Sequence, residues 1–152
     1  MRGFLCGLSP ERRRLVEHDP ALVTEIGDRA VEIEGRVFFD AAHLPDRLRQ
    51  WAPGCPTVVL LLETRLGEGI GAKGAWAFGR PRIVDGADLD RLAAELDALN
   101  EDAVQEAQRA AEGELDAIDT EIAEGDDRVL VRLRTIVRNA RERSGALLVH
   151  VT

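Results

Sequence analysis

The chain has 152 residues, of which 45% are hydrophobic and 32% charged, enough apolar mass for one core and too little length for two ordinary ones. No stretch reaches the roughly 20 apolar residues of a membrane helix, and the apolar content of Met1 to Pro10 is too short for a signal peptide, so no membrane partner is expected. A formal net charge of −8, concentrated in the middle of the chain, argues against nucleic acid, because that region would be repelled by a phosphate backbone.

In chain order, Arg2 to Leu8 reads as a first strand. Ser9 and Pro10 then supply an N-cap and a first helical position, with Leu15 and Val16 expected on the buried side. Asp19 and Pro20 repeat the signal for a second short helix that carries Leu22, Val23 and Ile26 and stops at Gly27. Val31 and Ile33 alternate with Glu32 and Glu34, Gly35 can turn the chain, and Val37 to Phe39 resume an apolar run, which together suggest a hairpin. Pro45 moves the start of the next helix to Leu44, with Leu48 and Trp51 facing inward and Pro53 and Pro56 ending it. Thr57 to Leu62 is continuously apolar and partly β-branched, and is expected to be the central strand of a small mixed sheet.

A further short strand fits Arg82 to Val84. Leu89, Leu92, Leu96 and Leu99 then recur at helical spacing, and from Asn100 the set Val104, Ala107, Ala111, Leu115, Ile118 and Ile122 continues it, with Gly113 as an interruption. From Arg128 to Arg143 the residues Val129, Leu133, Ile136, Val137 and Ala140 share one helix face. Gly145 ends that helix, and Ala146 to Val151 reads as a closing strand. The fold class expected from these elements is α+β in a single domain, with strands at 2–8, 57–62 and 146–151 packed by several helices.

The charge is regional. Asp85 to Asp127 holds sixteen acidic residues against Arg91 and Arg109, a balance of −14, whereas Arg128 to Thr152 holds six arginines against Glu142 alone. A concentration of this kind suits a basic protein partner, with Asp97, Glu101, Asp102, Glu106 and Glu112 as candidate contacts. The closing arginines form two stripes, Arg128, Arg132 and Arg143 on one side of the apolar face and Arg134, Arg138 and Arg141 on the other. Both border the core, and they are expected to answer much of the acidic region internally.

Gly69, Gly71 and Gly74 spell the spacing of a dinucleotide loop. That loop works only where it turns a strand directly into a helix, and here Glu63 to Glu68 precede it while Gly79 and Pro81 follow. No cofactor is therefore expected, although Lys73, Trp76 and Arg82 within the glycine-rich segment 67–82 could still meet an anion. Two acidic groups, Asp85, Asp88 and Asp90 and then Asp116, Asp119 and Glu121, miss the calcium-loop pattern, so no metal is expected either. Cys6 and Cys55 read as free thiols of a reducing cytoplasm, with no local tie to His18, His43 or His150. Asp40 and His43 are the nearest acid and imidazole, at a spacing that also describes ordinary capping.

The order of three segments resembles the YfbM-like family of uncharacterised bacterial domains. They are Met1-Arg2-Gly3-Phe4 with Leu8-Ser9-Pro10-Glu11 and Asp19-Pro20, then Phe78-Gly79-Arg80-Pro81-Arg82-Ile83-Val84 leading into Leu89 to Leu99, and lastly the amphipathic helix before Gly145 and Leu147 to Val151. The resemblance implies an α+β fold and carries no activity or catalytic residues. Ala41 to Pro45 departs from the tryptophan and histidine pair common in that family after the aspartate matching Asp40. Two functional readings follow from the residues: a non-enzymatic domain binding a basic protein through its acidic helices, or a small enzyme or anion-binding domain using the glycine-rich loop.

Overall fold

The two ends of the chain meet in the middle of the sheet. The computed structural model describes residues 1–28, 36–99, 102 and 117–152. Along them run β1 (Arg2–Leu8), α1 (Pro10–His18), α2 (Leu22–Asp28), β2 (Arg36–Asp40), α3 (Leu44–Trp51) and α4 (Pro56–Leu62). There follow β3 (Glu68–Gly69), β4 (Arg82–Val84), α5 (Gly86–Asp97), α6 (Ala117–Glu142) and β5 (Ala146–Val151). The strands form one sheet in the order β2-β1-β5-β4-β3, and every neighbouring pair is antiparallel. The fold is α+β, as its element pattern predicts.

Alternation along the strands divides two cores. Leu5, Val37, Phe39, Leu147 and Val149 face α3, α4, α5 and α6, whereas Phe4, Cys6, Leu8, Ala146 and Leu148 face Val16 of α1 and Val23 of α2. All six residues of β5 are buried, which is why it reads as unbroken apolar sequence apart from His150.

Several local signals act as the sequence suggests. The Ser9 side chain accepts a hydrogen bond from the Arg12 backbone N–H at 3.2 Å with Pro10 in the first turn, and α3 begins at Leu44 with Leu44, Leu48 and Trp51 buried. Others are overruled. Leu15 is 55% exposed because α1 buries only Val16, and consecutive residues on a helix point about 100° apart. Helix α2 runs one residue beyond Gly27, and α6 begins at Ala117, well before Arg128. The strand expected at Val31 to Ile33, and most of the helix expected after Asn100 with its Gly113, lie outside the described residues.

The main correction concerns Thr57 to Leu62, expected as the central strand and found as helix α4. Its N-terminus is capped from α5: the Glu95 carboxylate accepts the backbone N–H groups of Thr57 at 3.0 Å and Val58 at 3.1 Å and the Thr57 hydroxyl at 2.5 Å. Pro56, which has no N–H to satisfy, occupies the first helical position, and the buried set Val58, Val59, Leu61 and Leu62 follows helical rather than alternating order. The central place in the sheet belongs to β5.

Helix α6 ends through a left-handed Ser144, φ 52°, with the Gly145 N–H donating to the Ala140 carbonyl oxygen at 2.7 Å. Gly145 is needed for a different reason: a Cβ there would stand 2.4 Å from the Leu8 carbonyl oxygen, so only glycine lets α6 hand the chain to β5 beside β1.

Replacing Glu95 by Ala is expected to cost about 2 kcal/mol, since it removes charge-assisted bonds and orphans two helix N–H groups, while Gln, which keeps one acceptor, costs less. Urea unfolding of the three proteins measures this. An unchanged midpoint for Glu95→Ala would show that α4 stands without its cap.

Candidate functional site

Between α3 and α4 lies an open groove of about 350 Å³. Its floor comes from the short connection and from α4 beside it: Ala52, Pro53, Pro56, Val59 and Leu60, none with a polar side-chain atom. The floor exists because α3 turns Leu44, Leu48 and Trp51 into the core while α4 turns Val58, Leu61 and Leu62 there, which leaves Leu60 partly outside.

Arg49, Glu63 and Arg65 form the polar wall. Glu63 and Arg65 flank Thr64, which takes a left-handed conformation at φ 55°. The Thr64 N–H donates to the Leu61 carbonyl oxygen at 3.0 Å and the Arg65 N–H to that of Leu60 at 2.9 Å, the paired bonds that close a helix. A β-branched residue in this region is strained, and glycine would adopt it freely. The turn leaves both charged side chains on the groove.

Their bonding is uneven. One oxygen of Glu63 accepts a hydrogen bond from Arg49, whose other terminal nitrogen donates to Asp46 at 2.7 Å. The second oxygen, Oε2, is buried and accepts no hydrogen bond, and Arg65 stands 3.7 Å from it, beyond hydrogen-bond range, with its side chain 69% exposed. Among the charged lining residues, two cations thus share one anion.

Cys55 also lines the groove, but burial and then the nearby Glu95 carboxylate push its thiol up to about 11. Cys6 is pushed up to about 12 by burial, against the opposing charges of Arg36 and Arg12. Neither is a thiolate at neutral pH, so neither is poised as a nucleophile. Asp40 accepts from His43 Nδ1 at 2.9 Å and from the Ala42 N–H at 3.1 Å. Burial alone would raise its carboxyl, yet these bonds and the Arg47 charge hold it below its ordinary value. The pair secures the turn into α3.

The three residues expected in the glycine-rich segment take different places on it. The segment is a hairpin between β3 and β4, leading into a strand rather than a helix. Arg82 donates to the Gly67 carbonyl oxygen at 2.7 Å at its base, Trp76 folds back onto the sheet, and Lys73 is exposed on the loop. The acids at and after the N-cap of α5 are largely engaged: Asp85 pairs with Arg13, Asp88 with Arg91 at 3.5 Å, and Asp90 with Arg141 at 3.1 Å. Of the closing arginines, Arg141 meets an acid, whereas Arg134 donates to the Leu96 carbonyl oxygen at 2.8 Å and so caps the end of α5. Asp97 and Asp102 are exposed, and Asp102 has an interaction partner. Glu101, Glu106 and Glu112 lie outside the described residues. No group of three or more potential metal ligands occurs among the described residues.

On the opposite face of the sheet, Phe38, Phe4 and His150 sit in register on β2, β1 and β5, and Trp76 extends the row with its ring 4.9 Å from His150, edge to face. Arg2 and Arg36 stack on Phe38 with their guanidinium carbons 3.8 and 4.5 Å from the ring centre. His150 is 4% exposed, and its Nδ1, like Trp76 Nε1, makes no hydrogen bond.

Arg49, Glu63 and Arg65 escaped sequence reasoning. The signal for them is Pro56, which in sequence fits the end of one helix and in the structure is the first residue of the next. Against protein-family models, curated proteins and solved structures, the chain has no match.

Burial lowers the His150 pKa, so the folded chain binds a proton less readily there than the unfolded chain. Its neutral form supports the fold fully above the ordinary imidazole value of about 6.5, and that support is lost as pH falls below it. Between pH 7.5 and 5.5 the parent should therefore lose more stability in urea titrations than His150→Phe. Equal losses would mean that the imidazole ionises in place.

Proposed function

We propose that this chain is a ligand-binding domain whose site is the α3–α4 groove. The observation behind the reading is the coincidence of an apolar floor with an exposed arginine that makes no hydrogen bond to its neighbouring glutamate. The volume falls at the lower end of small-molecule pockets, and an apolar surface with a few polar groups at one edge is what such pockets present. A surface for a basic protein is the second reading: of its candidate contacts Asp97 and Asp102 are exposed and Glu101, Glu106 and Glu112 lie outside the described residues, while the neighbouring Asp85, Asp88, Asp90 and Glu95 are answered within the chain. Membership of the YfbM-like family is a proposal about fold and contributes no residue to the groove.

The reading is tested by ligand-observed NMR with a library of small apolar acids, amines, amides and alcohols, against the parent and Leu60→Trp, in which a bulky ring fills the groove. Hits should bind the parent and weaken at least tenfold, about 1.4 kcal/mol, in the variant. An absence of hits, or equal binding by both proteins, removes the groove as the site.

A further inference from the structure

Resting on that reading of the groove, we infer that its occupant is a small carboxylate carried on an apolar stem. Hydrogen-bonding capacity points that way. Arg49 is engaged by both Asp46 and Glu63, and so is committed to the wall. Arg65 keeps its donors, since its nearest acid is 3.7 Å away and accepts no hydrogen bond from it. A guanidinium offers two parallel N–H donors that match a carboxylate, and an exposed one can turn toward its ligand.

Glu63 does not oppose such a ligand. One of its oxygens is bonded to Arg49 and the other is closed off from solvent, whereas the Arg65 side chain is exposed at the same edge. With Asp46 counted, the two arginines and two acids at this edge balance, so the preference for an anion over an amine rests on the open donors of Arg65 and not on net charge.

The floor sets the rest of the molecule. Ala52, Pro53, Pro56, Val59 and Leu60 give the stem nothing to hydrogen-bond, so a polar stem would lose water without compensation. A groove of about 350 Å³ holds a stem on the order of six carbons beside its carboxylate. Each methylene laid on the floor should strengthen binding roughly threefold to fourfold until the floor is covered.

The test is an NMR titration of the ¹⁵N-labelled chain with butanoate, hexanoate and octanoate, and with hexylamine, hexanol and N-acetyl-leucine as controls. Hexanoate is expected to bind more tightly than butanoate, hexanol and hexylamine, shifting the amide signals of Val59, Leu60 and Arg65. In Arg65→Gln the advantage of hexanoate over hexanol should fall about tenfold, while hexanol binding stays unchanged. If hexylamine or hexanol binds better than hexanoate, the carboxylate assignment is wrong though the groove still binds. N-acetyl-leucine binding better than hexanoate would assign the groove to the carboxyl end of a peptide and overturn the small acid. Should Arg65→Gln retain the full preference, Arg65 is not the anion contact and the inference falls. If none of the six compounds binds, the groove reading falls with it.

Discussion

Everything in this fold hangs on the pairing of β1 with β5. The two strands match residue for residue from Gly3 opposite Val151 to Leu8 opposite Ala146, and backbone bonds between Arg2 and Thr152 at 3.0 and 2.8 Å extend the ladder. Because β5 is buried throughout, it serves both cores at once, giving Leu147 and Val149 to one and Leu148 to the other. Each flanking connection is tight. Ser9 caps α1 directly after β1, and Gly145 passes against Leu8 directly before β5. Forming such a pairing closes a loop of almost the entire chain, an entropic cost that only the burial on both faces of β5 offsets.

With the sheet set, the larger core is completed by helices that stabilise one another's ends. Glu95 of α5 caps the start of α4, and Arg134 of α6 caps the end of α5. Both use a charged side chain to satisfy backbone groups that a helix terminus leaves open. Charges in this protein thus have structural work, and the raw excess of acid overstates what α5 presents to a partner. Asp85, Asp88 and Asp90 add to this through their pairs with Arg13, Arg91 and Arg141. Such exposed pairs contribute only about 0 to 1 kcal/mol each, so their effect is on orientation more than on stability.

The groove is a by-product of that capping which the chain then elaborates. Once α4 is helical, its outer residues stand beside α3 and its end must turn sharply into Arg65. The turn is made by threonine where glycine would be unstrained, as Ser144 likewise closes α6. Around it the bonding separates two arginines, Arg49 held by acids and Arg65 free of hydrogen bonds to them. That asymmetry is what distinguishes this surface from an ordinary patch of paired charges.

The sequence by itself determined whatever depends on near neighbours. Ser9 with Pro10 marks α1, Pro45 places the start of α3 at Leu44, and the short apolar runs within Arg2 to Leu8 and Ala146 to Val151 identify β1 and β5, with His150 on the face of Leu148. The heptad-like recurrence of Val129, Leu133, Ile136, Val137 and Ala140 likewise gave the buried face of α6. Only the tertiary structure decided Thr57 to Leu62, since a run of six mostly apolar residues, three of them β-branched, fits strand or helix equally and the deciding cap comes from Glu95, 38 residues away. The candidate groove was hidden for the same reason. Arg49, Glu63 and Arg65 are three charges on a surface until α4 becomes a helix, and no local pattern contains the carboxylate that makes it one.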